Sequence, residues 1–184
     1  VAEGDRESDS AILVFHERQI ELDRDLYLDL LIHDVDTIFG SGDATDWNSG
    51  IVPAGTEINS YFLHFDPIGQ QPTSVLNTTA TFSFDGEILG LIIDPTSLND
   101  TDIRLAAAGR YMTGLLHGFN LSSPDTVTIF DDKHSVTVHM NVFRDQISQL
   151  RIITAVPEPA TVSLLTCLLW VLLRVTARNR TRRS

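Results

Sequence analysis

Hydrophobic and polar positions alternate with a period of two through much of this chain, the pattern of strands buried on one side. Between Gln19 and Ile32, Ile20 and Leu22 alternate with Glu21 and Asp23, and Leu26, Leu28 and Leu30 alternate with Tyr27 and Asp29. A helix is the rival over Asp25 to Ile32, because leucine, aspartate and arginine tolerate helix, but the alternation favours strand. Thr56 to Phe65, Thr126 to Phe130, Ser135 to Val142 and Gln149 to Thr154 read as further strands. Thr79 to Phe84 and Ile88 to Ile93 flank Asp85-Gly86, a pair that predicts a hairpin. Asp66-Pro67-Ile68-Gly69 predicts a turn, and Asp94-Pro95 ends a strand. His33 to Gly55 is rich in Asp, Gly, Ser and Asn and reads as one long loop. Asp100 to Ala108 predicts one or two helical turns closed by Gly109. Residues 1–10 are polar and expected to be disordered. The fold class expected for residues 11–154 is therefore mainly β, a β-sandwich of jelly-roll-like kind.

The pattern changes abruptly after Thr154. Ala160 to Leu173 is a run of 14 uncharged residues, apolar on every side, with no polar face to show to water. As a helix it is about 21 Å long against a hydrocarbon thickness of about 30 Å. Arg174 can snorkel, so the span extends over residues 160–177 to about 27 Å. A short transmembrane helix is the expectation, with a buried core helix as its rival. Ahead of it, Pro157 and Pro159 lack amide hydrogens and hold Val156 and Glu158 extended, which keeps this stretch out of helix and sheet interiors.

Charge sharpens this division. The chain of 184 residues has a formal charge of −12. The part up to Glu158 holds eight of the 13 basic residues against all 25 acidic ones, a formal charge of −17. The other five, Arg174, Arg178, Arg180, Arg182 and Arg183, crowd into positions 174–184, which contain no acid. A basic end beyond an apolar run fits the cytoplasmic side of a membrane, leaving the acidic body outside. An acidic body also argues against nucleic acid as a partner, since phosphate contact needs a basic face. Cys167 is the sole cysteine and lies inside the apolar run, so neither a disulfide framework nor a thiol metal site is expected. The stretch after Val1 does not read as a secretory leader, so the expectation of export rests on the carboxyl end.

Val156, Pro157, Glu158, Pro159 and Ala160, then a leucine-rich helix, then an arginine cluster, together resemble the PEP-CTERM sorting signal of exosortase substrates. Residues 155–184 would form that signal. The resemblance implies a Gram-negative host, export, and recognition by exosortase, an integral-membrane cysteine transpeptidase. It also implies an inner-membrane anchor before processing, then residence in the envelope or outside the cell, with a link to exopolysaccharide or biofilm material. Ile51 to Pro67 and Thr81 to Gly90 are similar to segments found in the exported bodies of that group, which adds no activity.

Candidate chemistry in the body is sparse. Asp34, Asp36, Asp43 and Asp46, with Gly40, Gly42 and Asn48, supply hard oxygens on a loop and are the calcium candidate. The spacing is not that of an EF-hand, and a solvated loop is the default reading. His16, His33, His64, His117, His134 and His139 show no zinc spacing; His16-Glu17 begins such a motif, but residue 20 is Ile. There is no nucleophile elbow and no phosphate or dinucleotide fingerprint, so no cofactor is expected and a non-enzymatic role is favoured. Asp23 with Asp25 and Asp131 with Asp132 sit beside turns, where acids ordinarily meet water. The alternative is a carbohydrate-binding module associated with exopolysaccharide, with Trp47, Tyr61 or Tyr111 stacking on sugar rings. A hydrolase whose acids meet only in the folded chain ranks behind both.

Overall fold

A computed structural model describes residues 7–32, 38–39, 49–68, 75–106, 118–119, 125–143 and 147–157, with residues 38 and 39 described as backbone. Among these residues the chain is mainly β, with antiparallel sheets and one short helix. The elements are β1 (Leu13–Glu21), β2 (Leu26–Leu28), β3 (Leu30–Leu31), β4 (Ile38–Phe39), β5 (Gly50–Val52), β6 (Glu57–Phe65), β7 (Leu76–Ser83), β8 (Ile88–Ile92), α1 (Pro95–Leu105), β9 (Thr126–Ile129), β10 (Ser135–Val142) and β11 (Ser148–Ala155). A five-stranded sheet runs β1-β6-β11-β8-β3, a four-stranded sheet runs β4-β9-β10-β7, and β2 pairs with β5.

The large sheet is covered on both faces. Leu63, Phe65, Leu150 and Ile152 meet Val127, Ile129, Val136, Val138 and Met140 of the small sheet in one core. On the opposite face Ile58, Phe62, Ile92 and Ile153 pack with Leu98 and Leu105 of α1 and with Leu26, Leu28 and Val52 of the β2–β5 pair. Central strands therefore bury successive residues, as Ser148 to Thr154 do, whereas β7 alternates half-buried and exposed positions along its whole length.

Several local expectations give way to tertiary pairing. The alternation read from Gln19 begins earlier, at Leu13, and is interrupted by a bulge between His16 and Arg18. That bulge leaves Glu17 without a cross-strand partner while its side chain is buried. Asp85-Gly86 does not close a hairpin. β7 pairs with β10, whereas β8 pairs with β11 and β3, so the chain crosses from one sheet to the other at this point. Gly86 serves close approach instead of turning: a Cβ there would collide with the carbonyl oxygen of Ala155. The loop expected over His33 to Gly55 contains β4 and β5. The helix begins at Pro95, earlier than Asp100, and ends at Leu105 with Ala106 as its C-cap; Gly109 lies outside the described residues. Asp94 caps it by accepting from Thr96 N and Ser97 N (2.8 and 3.3 Å), and Pro95 occupies the first turn, where a missing donor costs nothing. At the amino end residues 1–6 are outside the description. Ser8 N donates to Asp66 O (2.7 Å) and Ile68 N to Asp9 Oδ1 (2.8 Å), which ties this stretch to the body.

One ion group joins the layers. Arg151, fully buried on β11, donates from Nε to Glu17 Oε2 (2.7 Å) and from Nη2 to Glu17 Oε1 (2.9 Å) and Asp102 Oδ1 (2.7 Å). Its Nη1 donates to Thr101 Oγ1 (2.6 Å) and Leu98 O (3.4 Å). Ser60 Oγ donates to Glu17 Oε2 (2.5 Å), and the guanidinium carbon lies 5.4 Å from the centre of the Phe62 ring. Burial alone would pull the guanidinium pKa down; hydrogen bonds to Glu17 and Asp102 and their charges outweigh it, so Arg151 is held above its ordinary value.

Removing one partner of a buried pair strands the other charge. Glu17→Gln should therefore lower the unfolding free energy by about 3–5 kcal/mol in urea titrations. Asp23→Asn, which breaks the exposed Arg104–Asp23 contact (3.0 Å), should shift it by less than about 1 kcal/mol. Equal shifts for the two variants would show that the buried group does not join the layers as described.

Candidate functional site

The segment expected to be a sorting signal begins at the end of β11. Ala155 N donates to Glu87 O (2.8 Å) and Val156 N to Glu57 O (3.4 Å); Pro157, which has no N–H, is exposed. Glu158, Pro159, Ala160, the expected transmembrane helix over 160–177, and Arg174, Arg178, Arg180, Arg182 and Arg183 lie outside the described residues. No helix among the described residues is long and apolar enough to cross a membrane.

The calcium candidates Asp34, Asp36, Asp43 and Asp46 also lie outside the description, as do His33, His117, Trp47 and Tyr111. Among the described residues no three His, Cys, Asp or Glu side chains come together as metal ligands would. The four described histidines are dispersed. His16 Nε2 lies 3.2 Å from Asn59 Oδ1, and His134 Nδ1 lies 3.2 Å from Phe84 O. His139 Nδ1 lies 2.6 Å from Thr79 Oγ1, and buried His64 lies 2.8 Å from Gln149 Nε2 and 3.7 Å from Asp66 Oδ2. Tyr61 is not an open stacking platform. It is half-buried, with its ring against His16 and Phe84 (centroids 4.9 and 4.6 Å), and burial, then the nearby charge of Asp85, raises its phenol pKa.

A concave site does exist elsewhere, between the turn ahead of β2 and one side of α1. Arg24, Asp25, Leu26, Tyr27, Ser97, Asp100, Thr101 and Arg104 line a half-open cleft of about 340 Å³. The turn is fixed by Arg104, whose Nη1 donates to Asp25 O (3.2 Å) and whose Nη2 donates to Arg24 O (2.9 Å) and Asp23 Oδ1 (3.0 Å). Asp25 Oδ1 in turn accepts from Ala54 N (2.9 Å), which joins the β5–β6 turn to the same rim. Because Leu26 and Leu28 face the helix core, the intervening Tyr27 must face outward, and it is 70% exposed.

On the helix side, Ser97, Asp100, Thr101 and Arg104 share one face by their three- and four-residue spacing. Ser97 Oγ donates to Asp29 Oδ1 (2.6 Å), and Asp29 Oδ2 accepts from Ile93 N and Asp94 N (2.7 and 2.8 Å). Thr101 is shared: it lines the cleft and takes a hydrogen bond from buried Arg151. The groups that line the cleft are two carboxylates, two guanidiniums, two hydroxyls, the Tyr27 phenol and the Leu26 side chain. The alternation marks Tyr27 as an outward residue in the sequence, but nothing local announces that α1 stands opposite it.

Of the paired acids, Asp23 meets Arg104 and Asp25 holds the turn at Ala54. Asp132 accepts from His134 N (2.8 Å), Ser135 N (2.9 Å) and Ser135 Oγ (2.9 Å), fixing the turn between β9 and β10. Buried Asp125 holds Asn141 N (2.5 Å) and Ser148 Oγ (2.9 Å), a link that neither sequence neighbourhood announces.

Compared with protein families, curated proteins and solved structures, the chain matches none of them. The class that the geometry defines, among the described residues, is a mainly β, antiparallel protein with one helix and an open cleft beside it.

Hydrogen bonds from His134 N, then those from Ser135, hold the Asp132 carboxyl below the ordinary carboxylate range. A carboxyl lowered in the folded state stabilises fully above its unfolded pKa, and loses that contribution as pH falls through the folded value. Carbon-detected NMR titration should find the Asp132 midpoint below that of the unfolded chain. Asp132→Asn should weaken the β9–β10 turn at neutral pH but not in strong acid. An unshifted midpoint would overturn this account.

Proposed function

We propose that this chain is an exported bacterial surface or extracellular-matrix protein, non-enzymatic, sorted by exosortase through a PEP-CTERM signal at residues 155–184. The observation that carries the reading is the order of parts at the carboxyl end. Strand β11 stops at Ala155, the Val156-Pro157-Glu158-Pro159-Ala160 motif follows directly, then the 13 uncharged residues from Thr161 to Leu173, then the arginines. A processing motif is useful only where an enzyme can reach it, and the exposed Pro157 at the rim of the sheet supports that. In this reading residues 160–177 hold the chain in the inner membrane, the arginines stay in the cytoplasm, and the body passes to the envelope or beyond. The two sheets sharing one core support a β-sandwich, jelly-roll-like body as the cargo.

The full chain carrying an epitope in its body should be shortened and released in cells with exosortase, and should stay full-length in the membrane fraction without it. Identical size and location in the two strains would overturn the reading. Replacing Pro157 and Pro159 by Ala should block the shortening while leaving expression unchanged.

The second reading, a carbohydrate-binding module associated with exopolysaccharide, is favoured by the cleft. An exposed Tyr27 ring beside Asp25, Asp100 and Arg24 offers a stacking face together with groups that hydrogen-bond hydroxyls. Affinity electrophoresis of the full chain in gels containing polysaccharide from its host should show retardation, and Tyr27→Ala should remove it. Equal mobility with and without polysaccharide would eliminate this reading.

A further inference from the structure

A sheet edge presents unpaired backbone N–H and C=O groups, and folded proteins blunt such edges with charges, bulges, proline or brevity. The two main sheets have four end strands, β1, β3, β4 and β7. On β1 there is a bulge, and Glu17, Arg18 and Glu21 are carried along it. Only two residues long each, β3 and β4 are blunted by brevity. Strand β7 has none of these devices. It spans eight residues, Leu76–Ser83, without charge, proline or glycine, and its register to β10 runs unbroken from Leu76↔Val142 to Ser83↔Ser135. The amino-terminal stretch reaches it through Thr78 Oγ1, which donates to Ser10 O (3.0 Å). No backbone hydrogen bond from β7 to any strand but β10 occurs among the described residues.

The face beside this edge carries no Asp, Glu, Lys or Arg. Asn77, Thr79, Thr81 and Ser83 are its exposed positions, and Ser135, Thr137 and His139 of β10 and Thr126 and Thr128 of β9 continue it. Thr81 Oγ1 lies 2.7 Å from Thr137 Oγ1 and Ser83 Oγ lies 3.1 Å from Ser135 Oγ, so hydroxyls already pair across strands here. Such a patch is out of keeping with a body whose formal charge up to Glu158 is −17. Two copies this acidic repel unless they meet through a neutral surface, because like charges within about 8 Å are poorly screened at physiological salt.

We propose that β7 is a self-association edge: a second copy of this chain pairs β7 with β7 antiparallel about a two-fold axis, joining two four-stranded sheets into one of eight. The outer backbone groups of alternate residues supply the ladder, and the hydroxyls of Thr79 and Thr81 meet their counterparts as Thr81 meets Thr137 within one copy. An isologous contact of this kind closes on itself and stops at the dimer.

Light scattering and sedimentation of the full chain, in detergent that keeps its leucine run dispersed, should give a dimer. Thr79→Lys with Thr81→Lys, and separately Thr79→Glu with Thr81→Glu, place like charges opposite each other in any register centred on these positions. Each double variant should weaken dimerisation by on the order of a hundredfold and keep the circular dichroism spectrum of the parent, since both side chains are exposed. Mixing the two variants should restore a dimer, one copy of each. A parent chain that stays monomeric at its highest soluble concentration overturns the proposal. So does a dimer that both charged variants retain, which would place the contact elsewhere.

Discussion

Arg151 is a permanent cation in a place with no water, and the rest of the fold is arranged around that condition. A guanidinium has five N–H donors, and each has an acceptor: three carboxylate contacts, one hydroxyl and one carbonyl. Those acceptors come from β1 and α1, while Ser60 and Phe62 of β6 support the group from beside it. Such a group stabilises little by existing, because desolvation offsets much of its Coulomb energy, but it is costly to break. What it supplies is uniqueness. A slip of β1 along β6, or of α1 along the sheet, leaves a buried charge unpaired.

Two unusual features of the backbone follow from this condition. The bulge between His16 and Arg18 sets Glu17 apart from the ladder, with its carboxylate on Ser60 and Arg151. The chain also turns directly from β8 into α1 over the same face, with Asp94 capping the helix and Asp29 holding Ile93, Asp94 and Ser97. Helix position then creates the cleft. Thr101 faces both the guanidinium and the cleft wall, and Arg104, one turn on, reaches across to hold the turn that carries Asp25 and presents Tyr27. The concave site is thus a by-product of how the buried cation is satisfied, and its shape is as fixed as the core beneath it.

Much of this was legible where local pattern and tertiary demand agree. β9, β10 and the Asp131-Asp132 turn are local in sequence, and the strands β6 and β11 declare themselves by apolar content. Where the two disagree, pattern reading fails for identifiable reasons. Asp85-Gly86 has the composition of a hairpin, but the partners of β7 and β8 lie in different sheets, and that choice is made by β10 and β11 far along the chain. The start of α1 is encoded in Asp94-Pro95, an N-cap followed by proline, a pair that fits the end of a strand equally well. Arg151 is visible as a lone charge inside Leu150 to Ile153, whereas its partner Glu17 sits 134 residues away and carries no mark that distinguishes it from a surface acid. The cleft fails the same way, since Tyr27 was legible as outward-facing and Arg104 as its neighbour was not.

The point of exit from the body also carries meaning. β11 is the middle strand of the large sheet, held by β6 on one side and β8 on the other, and it bears Arg151. A segment leaving from an edge strand could be pulled away pair by pair; one leaving from the centre transmits force into the best-anchored part of the fold. Pro157, two residues past the strand, has no hydrogen to donate to a neighbouring strand. The hydrogen bonds and core contacts described for the body all lie on the amino-terminal side of that proline, the side that the proposed sorting would release.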